Sequence, residues 1–167
     1  MHWAEASWTE TYNRPCSLLP KADMFTLLCN LATVLLMTGV IWFVQVVHYP
    51  LFAGVGEERF VAYQATHSRS TTFVVAPLRT IELMTSGLLA MDAPAGVAGW
   101  AMWVGLGLTG VTWLATGLVS VPQHNRLAVA FDRDAWRRLV VTNWIRTGAW
   151  TAHSVLLLGV VSVLLER

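Results

Sequence analysis

The sequence predicts an all-α protein, a four-transmembrane-helix bundle with one or two interfacial helical connectors. Three observations predict it. Of the 167 residues, 55% are hydrophobic and 13% charged, about half the charged share of a soluble domain. Four apolar runs are each long enough to cross the roughly 30 Å hydrocarbon layer as a helix, which takes about 20 residues. The runs are continuous and do not alternate as barrel strands do, so they read as helices, which satisfy every backbone group within one segment.

Residues 1–23 read as a polar N-terminal leader, and residues 24–167 as the transmembrane domain. The leader holds Trp3, Trp8, Tyr12, mixed charges, Pro15 and Pro20. It lacks the basic, then apolar, then small-residue order of a secretory signal. Met24 opens the first span, 24–47, which contains no charge. The second span, 71–91, carries Arg79 and Glu82. The third, 97–121, is uncharged and punctuated by Gly99, Gly105, Gly107, Gly110 and Gly117, which reads as close helix packing. The fourth, 144–165, has Arg146 near its start and His153 inside.

The connections differ in kind. Asp92-Ala93-Pro94-Ala95-Gly96 makes a tight hairpin between the second and third spans. Residues 48–70 and 122–143 are longer and, because spans alternate in direction, share one membrane side. In the second of these, Leu127, Phe131 and Leu139 alternate with Arg126, Arg133, Arg137 and Arg138. That pattern suits an interfacial helix or an extension of a spanning one. Six arginines lie on the long-connector side (Arg59, Arg69, Arg126, Arg133, Arg137, Arg138), against Arg14, Lys21 and Arg167 on the other. This bias puts the long connectors in the cytoplasm and both termini outside a cell membrane that the chain crosses several times. Trp42, Trp100, Trp103, Trp136, Trp144 and Trp150 are candidates for aromatic belts, and Trp113 for packing between helices.

Net charge is +1, so nothing suggests nucleic acid as a partner. Cys16 and Cys29 form neither a CxxC pair nor a disulfide framework. The expected partners are the bilayer, a lipid-soluble small molecule, and further copies or other subunits of a membrane complex.

Candidate chemistry sits on few residues. Glu82 lies roughly 16 Å into its span at 1.5 Å per residue, where a carboxylate marks either function or a paired interior site. Arg79, three residues earlier, shares its helical face, and Ser86 continues the stripe. The pair reads as a structural tie or as a proton-handling carboxylate, Glu82, held by Arg79. His48, His67 and His124 all fall at the long-connector side. They suit a general base, a substrate mouth, a metal site or, for His48 and His124, haem ligation, since imidazole titrates near neutrality and binds metals. Their wide sequence separation leaves a purely structural role open, and they sit too near the interface to share one ion with a mid-bilayer Glu82. His153 reads as a buried neutral histidine bonded to Glu82 or a carbonyl, with a place in the substrate pocket as the alternative. Asn125 reads as a helix cap or a ligand contact.

Three stretches carry a family resemblance: His48-Tyr49-Pro50-Leu51-Phe52, Val75-Ala76-Pro77-Leu78-Arg79 with Glu82-Leu83, and Val121-Pro122-Gln123-His124-Asn125-Arg126-Leu127. A third span ending in Pro-x-x-Asn-x-Leu, together with the span order over residues 24–165, resembles the anthrone-oxygenase-like family of small four-helix membrane proteins. The resemblance implies a lipid-soluble aromatic substrate, a base that makes a carbanion able to meet molecular oxygen, and no classical cofactor. Only Pro122, Asn125 and Leu127 match that motif, and the His48-Tyr49-Pro50 and Glu82 features depart from the named oxygenases.

The expected function is therefore an oxidoreductase or oxygenase acting on a lipid-soluble substrate in a polar pocket inside the bundle. Glu82 and His124 would be acid–base groups, Arg79 would orient Glu82 or an oxyanion, and His48, Tyr49, His67, Asn125 and His153 would contact substrate. The alternatives are a non-catalytic accessory or assembly subunit, and a haem- or metal-binding membrane protein using His48, His67 and His124.

Overall fold

The computed structural model describes residues 21–166, so all but the end of the polar leader lies outside the described residues. Four helices are long and apolar enough to cross a membrane: Asp23–Gly54, Glu57–Met91, Gly99–Leu127 and Arg133–Leu165. They contain four long α-helices, α1 (Lys21–Phe43), α2 (Glu57–Met91), α3 (Gly99–Ala115) and α4 (Arg133–Leu165). Each packs on two neighbours: α1 and α3 both touch α2 and α4, as in a square up-and-down bundle.

Two helices begin well before the apolar runs do. α2 starts at Glu57, after Gly56 in extended conformation, with Glu57 and Glu58 in its first turn, where carboxylates meet the positive end of the helix dipole. α4 starts after Asp132, whose side chain accepts the N–H groups of Asp134 and Ala135, an N-cap. The Ala135 amide, helped by Arg126, holds the Asp132 carboxyl below its usual range. The amphipathic stretch 133–139 is thus a direct extension of the fourth spanning helix. Residues 94–97 close the hairpin: Val97 N–H bonds to Pro94 O at 2.9 Å, with Gly96 at φ 83° in the left-handed region that a type II turn requires.

The first and third spans share a device. Val44–His48 and Thr116–Ser120 are π-helical turns, each ending two residues before a proline, Pro50 or Pro122. Proline lacks an N–H and its ring crowds the carbonyl four residues back. The wider turn relieves that clash: Tyr49 N–H reaches Val44 O and Val121 N–H reaches Thr116 O, five residues back in both. One extra residue per turn swings the remainder of the span by about 100° around the axis. Both turns lie at the long-connector end, where π-bulges commonly mark function.

Inside, two apolar clusters bracket a polar layer. Leu27, Val34, Leu89, Met102 and Leu157 fill the hairpin end, and Met37, Ile41, Phe52, Phe60, Leu127 and Leu139 the long-connector end. Hydroxyl and amide contacts join the helices between them, such as Thr38 to Ser154 at 2.8 Å. Outward-facing Phe25, Leu36, Phe43, Phe73, Met84 and Leu114 are exposed, as lipid contact requires. Of the third-span glycines, only Gly105 has a tight approach, since a Cβ there would lie 2.8 Å from His153 Nε2. Gly99, Gly107, Gly110 and Gly117 face open space, which corrects the close-packing expectation for them.

Candidate functional site

The bundle's polar residues separate into two groups. The first surrounds Glu82, which is fully buried. Its carboxylate accepts from Trp150 Nε1 at 2.9 and 3.1 Å and from Thr109 Oγ1 at 3.2 Å, and His153 Nδ1 lies 3.6 Å away. Asn30 Nδ2 donates to Glu82 O, Thr85 Oγ1 and Ser86 Oγ, stitching α1 to α2. His153 is 1% exposed and pressed against Gly105. It lines neither of the two larger cavities, and Trp150, itself 1% exposed, belongs to the interior and not to an aromatic belt.

Arg79 does not pair with Glu82. The guanidinium carbon of Arg79 lies 4.4 Å from the Trp113 ring centroid and 5.7 Å from that of Trp150. Trp150 thus links the two charges: its ring faces the cation while its N–H serves the carboxylate. The direct pair that three-residue spacing on one helix suggested is not formed; an indole from α4 contacts both groups instead. Guanidinium over an aromatic face is itself attractive.

The second group lines a cavity of about 430 Å³ at the long-connector end, within the size range of small-molecule sites. Its polar lining includes Tyr49, His67, Arg79, Thr116, His124, Asn125 and Arg146, with Val75, Ala76, Trp113 and Val121 as apolar wall. Thr72, Ala76 and Thr80 on the second span and Trp113, Val121 and Asn125 on the third are exposed. The mouth therefore lies between these two spans.

Hydrogen bonds hold the wall in place. Gln64 Nε2 meets His124 Nδ1 at 2.8 Å, and His124 Nε2 meets Tyr49 Oη at 3.1 Å. Arg146 Nη2 donates to Tyr49 Oη at 3.2 Å. Asn143 Oδ1 accepts from Arg146 Nε at 3.0 Å and from Nη2, while Asn143 Nδ2 donates to Gln45 Oε1 at 2.7 Å. Arg79 Nη1 and Arg146 Nη1 both donate to Thr116 Oγ1, at 2.9 and 3.3 Å.

His48 Nε2 and His67 Nδ1 are 2.7 Å apart, and His67 also meets Thr71 Oγ1 at 3.2 Å. His67 is common to the cavity and to an apolar groove of about 420 Å³ between the first two spans, which His48 lines.

Of the expected site residues, the structure brings together Tyr49, His67, Arg79, His124 and Asn125 in one wall. It places Glu82 and His153 in the other group, so Glu82 and His124 do not share one chamber. His48 reaches the cavity only through His67. The three histidine rings do cluster, His67 lying 4.5 Å from His48 and 5.6 Å from His124 between centroids. However, His48 Nε2 and His67 Nδ1 are turned to each other and the two His124 nitrogens to Tyr49 and Gln64, and among the described residues no group of three His, Cys, Asp or Glu side chains could hold a metal ion. Haem ligation by His48 and His124 meets the same obstacle, because the Nε2 of each is already bonded within the protein.

Sequence reasoning missed Arg146 as a site residue. In sequence this arginine stands near the start of the fourth span and was given no role; its neighbours from other spans bury it to 8% exposure in the cavity wall, which one helix read alone does not reveal. Gln64, Thr116 and Asn143 carried no sequence signal. No family model, curated protein or solved structure matches the chain.

Proposed function

We propose that this protein is a small membrane enzyme of the oxidoreductase or oxygenase class that performs acid–base chemistry on a lipid-soluble substrate. The observation that carries the reading is the Tyr49 hydroxyl, held between His124 Nε2 and Arg146 Nη2 at the wall of a cavity that opens between two spans. An arginine and an amide nitrogen only donate, so His124 Nδ1 accepts from Gln64, its Nε2 donates to the phenol oxygen alongside Arg146, and the phenol's own proton is left for exchange with a substrate, the two donors stabilising the phenolate that remains. Such a positioned pair supplies a proton or removes one within hydrogen-bond reach. Lateral opening admits a substrate dissolved in the bilayer. Asn125 and His67 contact it from the same wall, and Glu82 acts at a distance as part of the frame.

In this reading the base takes a proton from an acidic C–H of the substrate, and the resulting carbanion adds to molecular oxygen. The hydroperoxide anion so formed recovers a proton from the same relay and loses water to leave a carbonyl. The oxygen step rests on the motif resemblance to the anthrone-oxygenase-like family, and the arginine bias supports a cytoplasmic face for the cavity end.

The test is oxygen uptake by detergent-purified protein supplied with anthrone and related acidic aromatic ketones. Expected are turnover by the wild type and losses of about 10²–10⁴-fold in His124→Gln and Tyr49→Phe. Undiminished turnover in both variants, or none by the wild type on any such substrate, refutes the reading.

A further inference from the structure

The geometry points to an oxyanion site inside the cavity, formed by Arg79 and Arg146 around Thr116, for a ligand that bears a carboxylate, enolate, phenolate or phosphate group. Arg79 is 6% exposed and Arg146 8%. Cations this deep among spanning helices normally pair with carboxylates, because an uncompensated buried charge is costly. These two do not. Among the described residues the arginine–carboxylate contact is Arg126–Asp132, Glu82 stands 3.6 Å from His153, and the cavity wall contains no aspartate or glutamate.

Two guanidinium groups instead converge on one neutral hydroxyl. Thr116 Oγ1 accepts from both and passes its own proton to Thr112 O at 2.7 Å. Arg146 is otherwise satisfied by Asn143 and Tyr49, which fixes its position. Arg79 is not: its Nε and Nη2 are buried and have no hydrogen-bond partner. Those two nitrogens form the edge whose N–H bonds run parallel, the arrangement that suits the two oxygens of a carboxylate or phosphate. Bonding capacity is thus left over on a residue of the cavity wall, whose charge is opposed by Arg146 and offset by Glu82 only at a distance. An anion bonded along the Nε–Nη2 edge of Arg79 would supply both missing acceptors, with the charge of Arg146 nearby helping to hold it.

This inference rests on the proposed reading of the cavity as a substrate site, and it names the substrate's chemistry: an acid or a readily ionised enol or phenol on an apolar body. In the proton-abstraction step the same two cations would hold the negative charge that develops on the substrate oxygen.

Equilibrium binding separates the idea from the catalytic proposal. Detergent-purified full-length protein is titrated calorimetrically, under nitrogen and near neutral pH, with naphthoate and with naphthamide, its uncharged analogue. Saturable binding of naphthoate about tenfold or more tighter than naphthamide is expected, a difference of about 1.4 kcal/mol or more. Arg79→Gln and Arg146→Gln should erase that preference, and Arg79→Lys should keep part of it. Inorganic phosphate is the second probe: competition with naphthoate identifies small free anions as ligands, whereas naphthoate binding without such competition identifies amphiphilic ones. Equal affinity for naphthoate and naphthamide in the wild type, or no saturable binding of either anion, overturns the inference, and neither result depends on a variant folding. Anion binding without any turnover would leave this site standing and remove the enzyme reading. Turnover of anthrone with no anion preference would do the reverse.

Discussion

The two polar groups inside this bundle are built from similar residues and behave oppositely. Around Glu82, the carboxylate and its neighbours from all four spans are matched donor to acceptor through Asn30, Thr109 and Trp150, with His153 joined at Thr109. About Arg79 and Arg146, two cations share one hydroxyl, donors go without partners, and about 430 Å³ of space adjoins them. A charge in a membrane interior is therefore not by itself a site. What distinguishes a functional cluster from a structural one is the unfilled remainder of its hydrogen bonds, next to room for a ligand.

The comparison can be broken most decisively at its satisfied end. Glu82→Ala strips the acceptor from the Trp150 indole and from Thr109 and leaves them buried, so a loss of about 3–5 kcal/mol is expected, as for other broken buried charge networks. Thermal unfolding in detergent measures it, and a loss below about 1 kcal/mol would show that the cluster is not a structural keystone. Gly105→Ala probes the same region by volume. Its new methyl would meet His153 Nε2 at 2.8 Å, and overpacking of this kind costs about 1–3 kcal/mol. An unchanged melting curve would mean that this packing yields easily.

Arg79→Met sharpens the other side. It removes unpartnered donors and a poorly compensated charge, so stability should change by less than about 1 kcal/mol or rise, even as naphthoate binding is lost. Severe destabilisation of that variant would make Arg79 a structural residue after all and erase the contrast between the groups.

The number of spans was legible because lipid demands long unbroken apolar runs, and the 92–96 hairpin because proline and glycine leave few alternatives in so short a link. That the histidines gather at one end followed from alternating span direction alone. Helix ends were less legible. Residues 57–70 and 133–143 are polar enough to look like connectors, yet they contain no breaker and are well capped by Asp132 or opened by Glu57 and Glu58. The burial of Arg146 was hidden because the partners that cover it, Tyr49 and Thr116, come from other spans. The Arg79–Glu82 relation could not be read along one helix, because Trp150 arrives from a helix sixty-eight residues away in sequence. The π turns before Pro50 and Pro122 were equally silent, since proline announces a lost hydrogen bond but not which wider bond replaces it.

The mouth between the second and third spans has a kinetic consequence. In the proposed reading, a substrate that enters there from the bilayer is counted per unit of hydrocarbon, not per litre of buffer, so the protein would meet hydrophobic compounds already enriched by their partition coefficients. Half-saturation expressed in bulk units will then rise as more lipid or detergent is added, because the same solute is spread through a larger apolar phase. Selectivity is divided accordingly: the membrane sorts compounds by oiliness before any side chain of the cavity is touched.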